Sequence, residues 1–529
     1  MTIDYPDLYI RGGWTRPAGD STIPVISPTT EQRIGSVPEG TETDIDDAVD
    51  AARAALTEWA SWTAAQRAEV LNRFADELES RAEDTSTRVS SQNGMPITLA
   101  RQFEGGFPPV LLRYYADMAA KQEDEIRPGM LGGSTLVTRS PIGVVGAIVP
   151  WNVPQAITFL KLAPALAAGC TVVLKPSPET VLDAFLMAEA AIAAGLPAGV
   201  VNIVPGGRDL GAYLVAHPGI DKVSFTGSTG AGRAIGRTCG ELLRPVTLEL
   251  GGKSAAVVLD DADLAANIES FYAATLLNNG QICWLGTRVL APRSRYDEIV
   301  DTITDLAKGL SVGDPLSDTT QMGPLVSSRQ RDRVEGYIEK GRSDGGRVTT
   351  GGRRPADAEY GWFVEPTVFA DVETGHTIAQ EEIFGPVLSV IPYTDETEAV
   401  TIANHSDYGL GGSRNRRPRT RRPIRPGHRQ RNSRNQRLLQ RSDRPLRRHQ
   451  EQRPRPRTRT RGPRELPAAQ EHLPRRAMTP RVRPCDTTHG RTHFHTRERK
   501  TPATNEELAM LDFAVTWAPF GGGSTNCAP

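Results

Sequence analysis

The chain has 529 residues, 38% of them hydrophobic, and a formal net charge of −1. That length supports about two or three domains with a sizeable core, and the near-neutral balance argues against a polyanion partner for the protein as a whole. No apolar run reaches the roughly 20 residues of a membrane helix, and the N-terminus lacks the basic start and apolar core of a secretory signal.

Residues 43–80 read as helical. Thr43 and Asp46 resemble a capping box, and Ile45, Val49, Ala52 and Leu56 follow at helical spacing. Residues 143–260 then alternate in a βα manner. Short apolar runs at Gly143–Val149, Thr171–Leu174, Val200–Val204, Lys222–Thr226 and Val246–Leu250 are separated by amphipathic stretches. Buried parallel strands with crossover helices have this pattern, and such sheets take ligands at the carboxyl ends of their strands. A second α/β region runs from about 253 to 413, with candidate strands at Ala255–Leu259, Arg288–Ala291 and Val387–Tyr393. The order stops after Ser413. Residues 411–500 hold 28 arginines and one lysine against six acidic residues, so the neutral average hides two unlike parts. Such a segment cannot bury enough apolar surface to offset its ordering entropy and is expected to be disordered. The five cysteines, at 170, 239, 283, 485 and 527, form no regular framework. A reducing, cytoplasmic setting is expected, and no Cys/His cluster has metal-site spacing.

Several short motifs carry chemistry. Cys283 lies in Asn278-Asn-Gly-Gln-Ile-Cys-Trp284, and Glu249 lies in Leu248-Glu-Leu-Gly-Gly-Lys253. A thiol can attack a carbonyl and become acylated, and a carboxylate can activate the water that releases the acid. A buried inert cysteine is the commoner case, but polar, flexible flanks suit an accessible one. Gly227-Ser-Thr-Gly-Ala-Gly232 follows a strand and opens a helix, where free N–H groups and the dipole favour a phosphate. Its spacing is not the usual dinucleotide fingerprint, and a glycine-rich turn without a ligand is as common. Lys175 ends a strand of the same sheet and could hold a ribose hydroxyl or phosphate, or simply be solvated. Asn152 sits between two prolines at another strand end. Its amide could donate to an oxyanion, or it could be a turn asparagine.

Taken together, Pro150-Trp-Asn152, Lys175-Pro-Ser177, Phe225-Thr-Gly-Ser-Thr229, Leu248-Glu-Leu-Gly-Gly-Lys253, Gly280-Gln-Ile-Cys283 and Glu382-Ile-Phe-Gly-Pro386 resemble the NAD(P)-dependent aldehyde dehydrogenase superfamily from about residue 5 to Ser413. The resemblance implies an α/β fold: a Rossmann-like cofactor domain (1–114 and 141–248), a bridging and oligomerisation element (115–140) and an α/β catalytic domain (249–413). The Arg/Pro-rich tail, 414–529, falls outside it. It implies Cys283 as nucleophile, Asn152 and the Cys283 N–H as oxyanion donors, and Glu249 as the base of deacylation. Lys175 and Glu382 would bind cofactor riboses, Ser228 and Gly227–Gly232 the pyrophosphate, and Phe384 the nicotinamide side. Gly207, Gly211 and Gln330 would lie on the adenosine side, with Trp151, Phe225 and Leu250 lining the crevice. The expected partners are a small aldehyde and further copies of the chain, without a membrane or nucleic acid. Where many NAD-preferring relatives carry Glu three residues after the lysine, this chain has Pro178, with Glu179 one step later. NAD is favoured, and NADP stays open.

The family pattern continues past Tyr408-Gly-Leu-Gly-Gly-Ser413, and here it does not. A frameshift near codon 413 explains the switch, because a GC-rich gene read out of register yields Arg- and Pro-rich text. The other reading is a basic arm for a polyanion. Two further alternatives to aldehyde oxidation are a CoA-acylating relative, against which Glu249 argues, and an inactive product.

Overall fold

Strands buried on both faces need no alternation, and the central strands here show none. In the computed structural model, which describes residues 2–129, 132–356 and 358–415, Val144–Ile148 and Thr171–Lys175 are buried at every position. With Val201–Ile203, Lys222–Thr226 and Val246–Glu249 they form the parallel part of a seven-stranded sheet. The N-terminal hairpin Leu8–Ile10 and Gly13–Thr15 closes its other edge in antiparallel fashion. Val144–Ile148 lies in the middle. The chain adds 171–175 and 201–203 on one side, then 222–226 and 246–249 on the other. That reversal is the switch point at which doubly wound sheets open a ligand crevice.

Register places the motifs side by side. Ile148 is paired with Lys175, Phe225 with Ile148, and Glu249 with Thr226. The asparagine, lysine, glycine-turn and glutamate motifs therefore share one edge of the sheet. Beneath it, Val144, Val173, Phe185, Leu214 and Val223 pack in one core with Ile45 and Val49.

A second, six-stranded sheet has the order 347–350, 367–370, 387–393, 288–292, 255–258, 412–415. It is parallel except for the antiparallel edge strand Arg347–Thr350. Val289, Ala291, Leu388 and Val390 face one core, and Leu290, Ile391, Phe369 and Val334 face another. Buried Arg288 ties the helix Glu396–Asn404 to this sheet, donating to the carbonyls of Lys253, Ile402, Ala403 and His405 at 2.8–3.3 Å. Cationic donors suit the carbonyl-rich end of a helix.

The α/β reading holds, with corrections in detail. The helical stretch 43–80 is two helices, Glu42–Ser61 and Ala64–Ser80. The capping box is Thr41 with Asp44, not Thr43 with Asp46, because Thr41 accepts from the Asp44 N–H and Asp44 accepts in return from the Thr41 N–H. Thr63 and Gln66 repeat the device two residues after the first helix ends. Within 115–140, residues to Ala120 finish the helix Phe107–Ala120, and the strands are the exposed hairpin Glu125–Pro128 and Ser134–Val137. The short strands at the N-terminus, and those at 347–350 and 367–370, were not among the predicted ones. The strand Gly412–Asn415 pairs with Ala255–Val258, so Arg414 and Asn415 still belong to the sheet. The expected tail from 416 onward lies outside the described residues.

Candidate active site

The nucleophile candidate is lifted into place by an unusual turn. Asn278, Asn279 and Gly280 are three consecutive residues in the left-handed region, with φ of 52°, 58° and 73°. Asparagine is the side chain that best tolerates this region after glycine. Their amides lock the turn. Asn278 donates to the Asn152 carbonyl at 3.0 Å, and Asn279 donates to the carbonyls of Gly94 and Pro324 at 2.8 and 2.9 Å. A Cβ on Gly280 would collide with the Gly385 carbonyl, so the turn sits directly on the Phe384–Pro386 backbone. Phe384 itself has φ 63°, strained for a bulky residue. Its carbonyl accepts from the Gln330 amide at 2.7 Å, and its ring meets Trp151 edge-on at 5.3 Å.

Asn152 is 4% exposed and doubly fixed. One amide hydrogen goes to the Gln281 carbonyl at 2.8 Å, while Asn93 and Asn278 hold its own carbonyl at 3.2 and 3.0 Å. The amide's second hydrogen is left for another acceptor. Cys283, Glu249 and Asn152 all line one cavity of about 690 Å³, whose other walls include Met95, Leu99, Phe103, Phe107, Met118 and Leu160. Burial pushes the Cys283 thiol up to about 12, helped by the negative charges of Glu382 and Glu249. Burial also raises Glu249, against the pull of the Lys161 charge. Lys161 is brought down to about 7 by burial, and it donates to Thr226 Oγ1 at 2.7 Å. A carboxyl raised by burial and a lysine lowered by it thus line the same cavity as the thiol.

Behind the strand ends lies a cradle. Lys175 is buried and donates to the carbonyls of Gly206 and Pro176 at 2.6 and 3.2 Å. Glu179, whose charge favours the Lys175 ammonium form, accepts from Ser177 and from Arg329 at 2.8 Å. Gly211 stands against Lys175, where a Cβ would approach Cε at 3.2 Å. Gly207 faces open space and caps the helix Arg208–Ala216 without a side-chain hydrogen bond, leaving that helix's first N–H groups available. Ser228 caps the helix Thr229–Glu241 by accepting from Ala231 N–H. A Cβ on Gly227 would approach the Phe225 ring at 2.6 Å, and one on Gly232 would clash with Leu250. Glu382 accepts from Gly252 N–H at 2.9 Å and closes over Gly251. Gln330 spends its amide on Phe384 and Ile383, which makes it a brace of that loop. Among the described residues no cluster of acidic, His or Cys side chains could hold a metal. Sequence reading missed Asn93, Lys161 and the structural use of Asn278 and Asn279. An Asn-Gly pair before Met95-Pro96 was the available signal for Asn93.

A sheet switch point with helix N-termini after its strands, and a cavity lined by a thiol, a carboxylate and an amide, fit a nucleotide-linked enzyme of carbonyl chemistry. Residues 14–414 match the sequence pattern of the aldehyde dehydrogenase family. The chain is 54% identical over 416 residues to the geranial dehydrogenase of Castellaniella defragrans, covering 78% of this chain and 87% of that protein. It is 42% identical over 412 residues to a 3-succinoylsemialdehyde-pyridine dehydrogenase of a Pseudomonas species, covering 77% and 86%. An aldehyde dehydrogenase of Mycobacterium tuberculosis solved with NAD+ superposes with a TM-score of 0.77 at 46% identity, over 79% of this chain and 87% of that one. A variant of the Pseudomonas syringae aldehyde dehydrogenase C, solved with NAD+ and octanal, gives 0.75 at 38% identity, over 78% and 84%. The chain belongs to the aldehyde dehydrogenase family, and its chemistry is the oxidation of aldehydes.

Proposed function

We propose that this protein oxidises an apolar aldehyde to its carboxylic acid with NAD+, through a thioester on Cys283. The observation that carries the reading is the single cavity shared by Cys283, Glu249 and Asn152. The Cys283 thiol loses its proton to solvent as the sulfur attacks the carbonyl carbon, which releases the one proton of the net reaction. Asn152, by its second amide hydrogen, and the Cys283 N–H hold the resulting oxyanion. The cofactor supplies the hydride acceptor, and Lys175, Ser228, Gly207, Gly211, Phe384 and Glu382 are the residues to hold it. Loss of hydride leaves the thioester. Glu249, raised by burial, then takes a proton from water, which attacks the acyl carbon and frees acid and thiol. Water as acyl acceptor distinguishes this from a CoA-acylating relative.

The apolar cavity walls, and the substrates named for the Castellaniella and Pseudomonas syringae proteins, support a linear or isoprenoid aldehyde. Glu179 beside Lys175 supports NAD over NADP, because a carboxylate repels a 2′-phosphate. The exposed hairpin, with Ile126 and Leu136 bare at 71% and 60%, supports assembly into a homo-oligomer. Free Cys170, Cys239 and Cys283 support a reducing, cytoplasmic setting. Among the described residues, no helix is long and apolar enough to cross a membrane. NADH formation from a panel of aldehydes tests the reading. An eight-carbon aldehyde should exceed a charged aldehyde in kcat/KM by about tenfold or more, as buried methylenes require, and Cys283→Ala should be silent. Turnover surviving in Cys283→Ala, or equal rates with NADP+, would count against it.

A further inference from the structure

The helix Pro154–Ala167 begins two residues after Asn152, and its own sequence cannot cap it. Its N-cap residue, Val153, offers no acceptor, and Pro154 has no N–H. The first free donors are the N–H groups of Gln155 and Ala156. Both meet Oε2 of Glu104, at 2.7 and 3.4 Å. Glu104 arrives from a different element, the π-helical turn Arg101–Gly106, and is 1% exposed. Such turns insert an extra residue into a helix and aim its side chain where an α-helix would not. Gly105 allows the fit, since a Cβ there would press on the Ala82 carbonyl and Ser86 Oγ at 2.6 Å.

The cap belongs to a buried polar lattice. Gln155 donates from its amide to Asp183 at 2.6 Å, and Gln92 donates to the other oxygen of Asp183. Asn93, the next residue, donates to the carbonyls of Trp151 and Asn152 at 3.3 and 3.2 Å. The Asn152 segment is thereby gripped at the Trp151 and Asn152 carbonyls by Asn93 and Asn278, and at the start of the following helix by Glu104. The grip is costly. Oε1 of Glu104 is buried without a hydrogen-bond partner, and an unsatisfied buried polar atom destabilises the fold. Burial, then the charge of Asp183, pushes the Glu104 carboxyl well above its usual range. A carboxyl kept at that cost, at the start of the helix beside the oxyanion donor, has work to do there.

We propose that Glu104 is a positioning residue for the oxidation reaction, fixing the Asn152 amide by capping the following helix from a separate element. The proposal rests on the aldehyde-oxidation reading above. Four variants of the full chain test it: Glu104→Ala, Glu104→Gln, Asn152→Ala and the double variant Glu104→Ala/Asn152→Ala. Loss of an oxyanion donor costs on the order of 10²–10³ in kcat, and a displaced donor should cost roughly 10–100-fold. Glu104→Ala should therefore lower kcat by that amount while the KM for NAD+ stays within about threefold of the parent. Glu104→Gln, which keeps the acceptor oxygen, should restore most of the rate. The double variant should be no slower than Asn152→Ala alone, because both act through one contact. Additive losses, or an unaltered kcat in Glu104→Ala with its structure intact, would overturn the proposal. A crystal structure of Glu104→Ala judges it without any turnover. Asn152 should lose its 2.8 Å bond to the Gln281 carbonyl, and retention of that bond would also overturn it. An inactive parent chain would sink the aldehyde-oxidation reading and leave this structural arm decisive.

Discussion

Cys283 owes its position to residues that do no chemistry. Three left-handed residues in a row, Asn278, Asn279 and Gly280, turn the chain onto the Phe384–Pro386 loop, and side-chain amides hold it there. Burial and two nearby carboxylates keep the resting thiol protonated, with Cys283 at about 12. For an acid pushed upward, the thiolate fraction is small at neutral pH and grows about tenfold per pH unit until the raised value is reached. Iodoacetamide labelling of Cys283 in the free enzyme should thus climb steadily from pH 7 to pH 10. Glu249→Gln should shift the curve to lower pH by removing one negative neighbour. A plateau near the ordinary thiol value of about 8.5 would contradict this. The residues proposed as nucleophile, base and oxyanion donor could be picked out in short motifs because each chemistry needs a particular residue beside particular flanks. Lys161, Asn93 and Glu104 could not, since each acts on a partner far along the chain that only the fold brings near.

At the level of elements, runs such as Val144–Ile148, Thr171–Lys175 and Val387–Tyr393 were readable because strands covered on both faces are mostly apolar without alternation. The three-residue strands Leu8–Ile10 and Gly13–Thr15 were not. They are too short to show a period and are held by pairing to a distant edge. Arg288 is the plainest case of an element held by one side chain. Arg288→Met removes donors from four carbonyls, three of them at the end of the helix Glu396–Asn404. We expect a loss of about 2–4 kcal/mol, read as a lower denaturant midpoint with an unchanged slope. A change below about 0.5 kcal/mol would show that water replaces the guanidinium there.

At the scale of the whole molecule, the family pattern and the sheet both reach the strand Gly412–Asn415. Around it, buried Ser413 Oγ, Asn415 Nδ2, Ser254 Oγ and Lys253 Nζ have no hydrogen-bond partner. Four such groups, two on this strand and two just before the strand Ala255–Val258 that it pairs with, mark a place where native chains supply partners. The frameshift proposed for this point expects another frame of the gene to encode an ordered continuation. Restoring it should raise Tm by several degrees, as a gain of several kcal/mol would in a chain of this size. If neither other frame encodes such a segment, the frameshift is wrong and the basic arm stands.

The cysteine mechanism is the centre of the account, and one measurement tests it most directly. Glu249→Gln should oxidise bound aldehyde but fail to hydrolyse the thioester. Mixed with NAD+ and an eight-carbon aldehyde, it should release up to one equivalent of NADH and gain the mass of one acyl group, carried on the peptide containing Cys283. Prompt free acid with no adduct on that peptide, or an adduct that persists in Cys283→Ala/Glu249→Gln, would contradict it.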